Sequence, residues 1–248
     1  MKTCAVIPAA GRGSRLKIMT PKILACIAGN KTIWSVLRRK LTMVDHIHVV
    51  VSPEGECVMR AALAEDIAIG FVSLSVQPEP IGMGDAIFRG YSVWSEADTI
   101  IIIWGDQVFV SQATCERALA MHAGGKNLVV LPLTYVDTPY VEYIFDVQQR
   151  LCHVKQSREG DECTPRGLAD VGTFVMSVNN LAVAWASYIA EAHYGTETKE
   201  LNFLPFLPFL VTQGWEILPM LVSNSLEARG INTPDDLLFF QRVYKDRK

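Results

Sequence analysis

"CAVIPAAGRGSRLKIMTPK", residues 4–22, sets a short apolar run, Cys4 to Pro8, against a loop holding two glycines, two arginines and two lysines. A run of that length closing on A-A-G-x-G reads as a buried strand ending in a tight turn, because glycine tolerates the backbone angles required and lets another group approach closely. Successive N–H groups of such a turn can face one point and hold an anion there. Arg15 as a planar fork and Lys22 as a mobile point charge fit a polyphosphate better than a single carboxylate. Spacing excludes two common phosphate loops: G-x-x-x-x-G-K-[ST] is absent, and so is the third glycine of G-x-G-x-x-G. The plainer alternative is a glycine turn whose charges are solvated.

Outward from this stretch, short β-branched runs alternate with longer helical patterns. Strand-like runs stand at 4–9, 46–52, 71–76, 99–106 and 127–135, and helical ones between them at 33–44, 57–66, 84–94 and 113–123. That order predicts a doubly wound α/β fold with a mostly parallel, Rossmann-like sheet, whose near-continuous apolar strands, such as Ile100 to Trp104, are covered on both faces. Ligands of such sheets bind beyond the carboxyl ends of the strands. From Thr138 the rhythm changes. "VEYIFD" and "RLCHVKQ" predict a hairpin, "SREGDECTPRG" a polar loop and "DVGTFVMSV" a strand. Helices follow at 181–192 and around 201–211, then a strand "WEILPML" and a last helix opened by "NTPDDL". The reading is a single domain over 1–248, its first half at 1–137 and an added, smaller β/helical half at 138–248 that includes the C-terminal helix.

Half of the 248 residues are hydrophobic, enough for one large core. The net charge is −3 with basic residues spread along the chain, which argues against a nucleic-acid-binding surface. Cysteines at 4, 26, 57, 115, 152 and 163 form no C-x-x-C pair and read as reduced thiols of a cytoplasmic protein. The opening apolar stretch is too short for a signal peptide. The richest later one, "LNFLPFLPFLV" at 201–211, holds two prolines and is too short to span a membrane.

Three further segments carry residues suited to chemistry on a phosphorylated ligand. Asp106 follows the apolar strand "IIIIWG" and would sit at its carboxyl end, where a hard carboxylate oxygen can bind Mg²⁺; loop hydrogen bonding is its alternative role. The Gln77 amide can donate and accept, which matches the edge of uracil or thymine and favours a pyrimidine nucleotide. Gly82 and Gly84 would let backbone approach base or ribose, or simply start the helix at Asp85. Thr233, Pro234 and Asp236 read as the cap, first and third residues of the last helix, and Asp235 with Asp236 is assigned to capping.

Together these segments resemble the sugar-1-phosphate nucleotidyltransferases. "AAGRGSRL" at 9–16 and "PK" at 21–22 match that family's A-A-G-x-G-[ST]-R-[LM] and P-K signature at every position. "QPEPIGMGDAI" at 77–87 resembles its Q-x-x-x-x-G-[TM]-[AG]-x-A segment, "WGDQVF" at 104–109 its G-D strand end, and "GINTPDDL" at 230–237 its C-terminal metal segment. The likeness runs from residue 1 to the end and is greatest to the pyrophosphorylase domain of the bacterial N-acetylglucosamine-1-phosphate uridylyltransferases. It implies a nucleotide-binding half at 1–137 and an acceptor-binding half at 138–248. It further implies nucleotide contacts from Ala9, Ala10, Gly11, Gly13, Gln77, Gly82, Gly84 and Asp106. Lys22 is then assigned to the phosphates, Arg15 to the leaving pyrophosphate, and Asp106 with Asn232 to Mg²⁺. Mg²⁺ takes few protein ligands beside water and phosphate, so two suffice.

The likeness weakens on the sugar side. The uridylyltransferase pattern has a glutamate where Gln156 is nearest and an asparagine where Val171 is nearest. Leu204 and Pro205 also stand where a Thr-Asp pair is common, although Glu200 is retained. The acceptor is therefore expected to differ from N-acetylglucosamine 1-phosphate, with Glu142, Gln156, Asp170 and Glu200 lining its site.

The resulting expectation is Mg²⁺-dependent transfer from a pyrimidine nucleoside triphosphate (UTP, dTTP or CTP) to a sugar 1-phosphate, releasing pyrophosphate, in a cytoplasmic protein. Transfer to a non-sugar phosphate or phosphonate, or use of a purine triphosphate, is the enzymatic alternative. A non-catalytic nucleotide-sugar-binding regulatory module is the alternative of another class. His46 and His48 read as surface or rim residues, since no partner stands at ligand spacing. "LNFLPFLPFL" reads as a buried helix start with homo-oligomerisation as its alternative, and "SREGDE" as a solvated turn or a lid.

Overall fold

Strand β1 (Thr3–Pro8) is buried along its whole length, which a position inside a sheet covered on both faces requires. The chain, a computed structural model, is described at residues 1–11, 16, 18, 20–191 and 194–246, so Gly13 and Arg15 lie outside the described residues. After β1 come β2 (Cys26–Ala28), β3 (Lys31–Thr32), α1 (Ile33–Lys40), β4 (His46–Val51), α2 (Pro53–Ala62), α3 (Ala64–Ala68) and β5 (Val72–Val76). Then follow α4 (Met83–Arg89), α5 (Tyr91–Trp94), β6 (Thr99–Ile103), α6 (Gln112–His122) and β7 (Leu128–Asp137). The second half adds β8 (Val141–Phe145), β9 (Leu151–Gln156), β10 (Arg166–Asp170), β11 (Thr173–Ser177), α7 (Leu181–Glu191), α8 (Phe206–Thr212), β12 (Glu216–Leu221) and α9 (Pro234–Asp246). Side-chain caps start α1, α2 and α6: Thr32 forms a capping box with Ser35, and Ser52 and Ser111 accept from Gly55 N–H and Thr114 N–H.

Strands β5, β4, β1 and β6 are parallel neighbours, and β12 runs parallel to β7. The expected mostly parallel sheet is present, with one difference. Strand β7 does not lie beside β6, because β11 inserts antiparallel between them. Every residue of β11 is buried, so only an interior place in the sheet covers both of its faces. The predicted strand over 170–178 is broken: β10 and β11 both pair with the same side of β7, and the register shifts by two residues at Val171 and Gly172 between them. The predicted hairpin is β8–β9, a separate two-stranded sheet.

Alternation along the strands divides the core in two. Ala5, Ile7, Ile101 and Ile103 face one cluster, which includes Trp34, Met59 and Phe240; Cys4, Val6, Ile100 and Ile102 face the other, with Trp94, Phe174, Trp185 and Phe206. Phe203, Phe206, Leu207 and Leu210 are buried there, so the Leu201–Val211 stretch is core. His48, read from the sequence as a rim residue, is fully buried. Its two ring nitrogens meet Ser73 Oγ at 2.8 Å and Ser75 Oγ at 2.9 Å, an environment supplied by the neighbouring strand β5. Among the described residues no helix is long and apolar enough to cross a membrane.

Candidate active site

Because β1, β4 and β6 are parallel, β11 is antiparallel and β12 again points with β6, the segments Ala9–Gly11, Trp104–Asp106, Asp170–Gly172 and Gly230–Asn232 all leave one edge of the sheet. The strand order reverses between β1 and β6, which opens a crevice at that edge. Lys22 reaches into it. Its Nζ donates to Asp106 Oδ2 at 2.6 Å and to Asn232 Oδ1 at 3.1 Å, tying three segments far apart in sequence to one point. Ile231 N–H donates to the Asp106 carbonyl at 3.2 Å, and a Cβ on Gly230 would lie 3.0 Å from the Asp106 carboxyl carbon, so glycine permits this close passage.

Asn232 is held by the start of α9. Asp236 Oδ2 accepts from Asn232 N–H at 3.0 Å and from Thr233 N–H at 2.9 Å, while Asp236 N–H donates to Thr233 Oγ1 at 3.2 Å. Burial alone would raise the Asp236 carboxyl, but these bonds and Arg229 outweigh it and lower the pKa. Asp236 thus fills the capping role read from the sequence and fixes the backbone that aims Asn232.

Asp106 and Asn232 present a carboxylate and an amide oxygen that already converge on one cation, the Lys22 ammonium. Hard oxygen donors at the mouth of a crevice are what Mg²⁺ takes alongside water and phosphate oxygens, so the residues fit that ion. No group of three His, Cys, Asp or Glu side chains suited to a metal forms among the described residues.

Two cavities meet over this point and share Met83, Trp104, Asp106, Arg158 and Asn232. One, about 520 Å³, is lined by Ala9, Ala10, Gly11, Lys22, Gln77 and Gly82. The other, about 610 Å³, is lined by Gln107, Gln156, Asp170, Asn202 and Phe203. Gln77 is buried, and its Nε2 donates to Gly82 O at 3.0 Å and to Asp85 Oδ2 at 2.8 Å. Gly82, at φ +136, lies against the Leu201 backbone, which would be 2.3 Å from an added Cβ. Gly84 lines neither cavity: its place is against Trp185, whose ring would lie 2.1 Å from a Cβ. Its absent side chain serves packing.

The four expected acceptor residues separate. Gln156 and Asp170 line the larger cavity and Glu200 the smaller one. Glu142 lines neither; it is buried beneath Gly167, and its carboxylate accepts from Thr164 N–H at 2.9 Å and Thr164 Oγ1 at 2.5 Å, because β8 turns it toward the loop before β10. Asp170 accepts from Gly172 N–H at 2.7 Å and Tyr143 O–H at 3.0 Å. Burial raises the Asp170 pKa despite these bonds, and burial followed by the Asp170 charge pushes the Tyr143 phenol well up.

Arg158, in the segment expected to be a solvated turn or a lid, lines both cavities. Its guanidinium lies 3.4 Å from Glu200 and donates to Asn202 Oδ1. The adjacent Glu159 is no solvated turn residue: it accepts from Thr198 Oγ1, Asn202 Nδ2 and Glu197 N–H. Burial would raise its carboxyl, but these bonds win and hold it at about 2. The only sequence signal for this pair was an Arg-Glu step directly after a predicted strand.

The model of the MobA-like NTP transferase domain matches residues 5–170, from β1 to the end of β10. The chain belongs to that family. Among curated relatives, the bifunctional protein GlmU of Acidovorax sp. strain JS42 is 25% identical over 244 residues, covering 97% of this chain and 50% of that protein. The GlmU of Ruthia magnifica is 24% identical, covering 97% and 51%. The chain therefore spans about half the length of these relatives. A putative glucose-1-phosphate thymidylyltransferase from Bacillus anthracis, solved with a sucrose, superposes with a TM-score of 0.76 at 17% identity, covering 98% of this chain and 96% of that one. The 4-diphosphocytidyl-2C-methyl-D-erythritol synthase of Anaerococcus prevotii gives 0.68 at 13% identity, with the same coverages. These structures share the NTP-transferase fold of this chain, and family membership bears out the nucleotidyltransferase resemblance seen in the sequence.

Proposed function

We propose that this NTP transferase joins a nucleoside triphosphate to a phosphorylated acceptor of the sugar 1-phosphate class, releasing pyrophosphate. The observation that carries the reading is the convergence of Lys22, Asp106 and Asn232 where two cavities meet, one walled by the Ala9–Gly11 turn and the other by the second half. Residues 1–137 then bind nucleotide and 138–248 the acceptor, with Trp104 and Gln107 of the first half on the wall of the acceptor cavity.

The acceptor's phosphate oxygen is already ionised near neutral pH, so in-line attack on the α-phosphorus asks for positioning and charge neutralisation more than for a general base. Lys22 carries the positive charge to the phosphates from the Asp106–Asn232 pair, and the Ala9–Gly11 backbone cradles them. Arg158 is placed to hold the acceptor's phosphate between the cavities, exchanging its exposed partner Glu200 for substrate. Gln77 spends its Nε2 on Gly82 and Asp85, which leaves the amide oxygen for the N3–H of uracil or thymine. Mg²⁺ held by Asp106 and Asn232 would neutralise charge on the triphosphate.

The test is pyrophosphate release from UTP, dTTP, CTP, ATP and GTP against a panel of sugar 1-phosphates, with Mg²⁺ and with EDTA. A Mg²⁺-dependent signal for a pyrimidine pair supports the reading. Nucleotide-sugar binding without turnover of any triphosphate would replace it with a regulatory module.

A further inference from the structure

Among the described residues, two buried side-chain polar atoms have no hydrogen-bond partner, Thr173 Oγ1 and Gln107 Oε1. Thr173 lines neither cavity. Gln107 lines the larger one although it is only 6% exposed. Its place is fixed on two sides. Gln107 N–H donates to Trp104 O at 3.1 Å, and the side chain lies across Gly172, where a Cβ would come within 2.2 Å of Gln107 Cγ. Gly172, at φ +71, is one of the two extra residues between β10 and β11, so the break in that strand makes the room the glutamine occupies.

A buried amide oxygen without a donor lowers stability, and no described residue supplies one. We propose that Gln107 is a specificity-determining residue of the acceptor subsite, its Oε1 accepting a hydrogen bond from an O–H or N–H of the phosphorylated acceptor. The proposal rests on the transferase reading above. Asp170, Trp104 and Phe203 line the same cavity; of the arginines on its wall, Arg229 is engaged with Asp236, and Arg158 is taken by the acceptor's phosphate in the reading above. Such surroundings accept a neutral or cationic donor and reject a carboxylate or a purely apolar end, because either would leave the buried oxygen unpaired. A sugar hydroxyl and the ammonium of an amino-alcohol phosphate share this chemistry.

Gln107→Leu removes the oxygen at nearly constant volume, and Gln107→Glu keeps an acceptor there. In the ligand-free protein Gln107→Leu is expected to melt at the same temperature or higher. A fall of about 4 °C or more would show that the oxygen serves the fold and would overturn the proposal. With UTP, the probes are glucose 1-phosphate, its monodeoxy analogues and 2-aminoethyl phosphate. Gln107→Leu should raise the acceptor KM about tenfold or more with the UTP KM within about twofold, while Gln107→Glu retains most of the acceptor affinity. One deoxy analogue should be poor with the unaltered protein and lose that handicap with Gln107→Leu. If 2-aminoethyl phosphate shows the Gln107 dependence instead, the donor is an ammonium. Equal acceptor KM in the unaltered and leucine proteins would overturn the proposal. Absence of turnover by the unaltered protein would overturn the transferase reading instead, and the melting result then decides on Gln107 by itself.

Discussion

Asp106→Asn separates the charge at the centre of the site from its shape. The pair it forms with Lys22 is partly buried, with side chains 15% and 22% exposed, and Lys22 keeps Asn232 Oδ1 at 3.1 Å while the new amide oxygen can still accept. Loss of the ion pair should therefore cost at most about 1 kcal/mol, a shift of roughly 2–4 °C in Tm. The effect on turnover is of another size. One unit charge removed about 4 Å from a cation, at an effective dielectric near 20, withdraws about 4 kcal/mol. If that interaction is made in the transition state, kcat/KM falls about a thousandfold. The assay is coupled pyrophosphate release, run beside a melting curve on the same preparation. Retention of more than about a tenth of kcat/KM with an unchanged melt would refute the placing of Asp106 at the reacting phosphates.

Gly230→Ala keeps every charge but sets a Cβ 3.0 Å from the Asp106 carboxyl carbon, so it should lower kcat/KM by roughly ten- to a hundredfold through misplacement; steady-state kinetics with an unshifted melt checks this. Gly84→Ala should cost about 1–3 kcal/mol in urea unfolding, because its Cβ meets Trp185 at 2.1 Å, and a neutral result would remove the packing role. His48 has its pKa lowered from 6.5 to about 4, by burial first and by His46 second, so its neutral form stabilises the fold fully above pH 6.5 and that contribution is lost as pH falls from 6.5 toward 4. His48→Gln should flatten the urea midpoint across that window, and parallel pH profiles would contradict it. Glu159, lowered from 4.5 to about 2, contributes above pH 4.5 and loses that contribution from there down to about 2. Glu159→Gln should remove this lower limb of acid unfolding.

The first half and the start of the last helix were legible because their signals are local. A buried strand ending in A-A-G, the all-apolar Ile100–Ile103 run and the Thr233–Asp236 cap each declare their geometry within a few residues. The Gly230–Asn232 segment was readable only through likeness, since nothing local says that it passes under Asp106. The second half hid its topology: β11 reads as any apolar strand, and its antiparallel insertion between β6 and β7 depends on partners more than forty residues away in β7 and seventy in β6. Glu142 looked like a cavity carboxylate by position, yet Thr164 claims it. Arg158 and Gln107 were missed because an arginine in a polar turn and a glutamine after a strand are ordinary by composition. Their meaning lies in what surrounds them after folding.

The central claim is that the bond made at the Lys22–Asp106–Asn232 centre joins the α-phosphorus to an acceptor phosphate. Incubation with UTP labelled at the α-phosphate, beside a parallel sample labelled at the γ-phosphate, with Mg²⁺ and glucose 1-phosphate or the acceptor found by the panel, tests it directly. The account predicts α-label in a product that also contains the acceptor, γ-label in pyrophosphate, and loss of both signals in Asp106→Asn. Release of γ-label as orthophosphate, or α-label recovered only in free nucleotide, would contradict it.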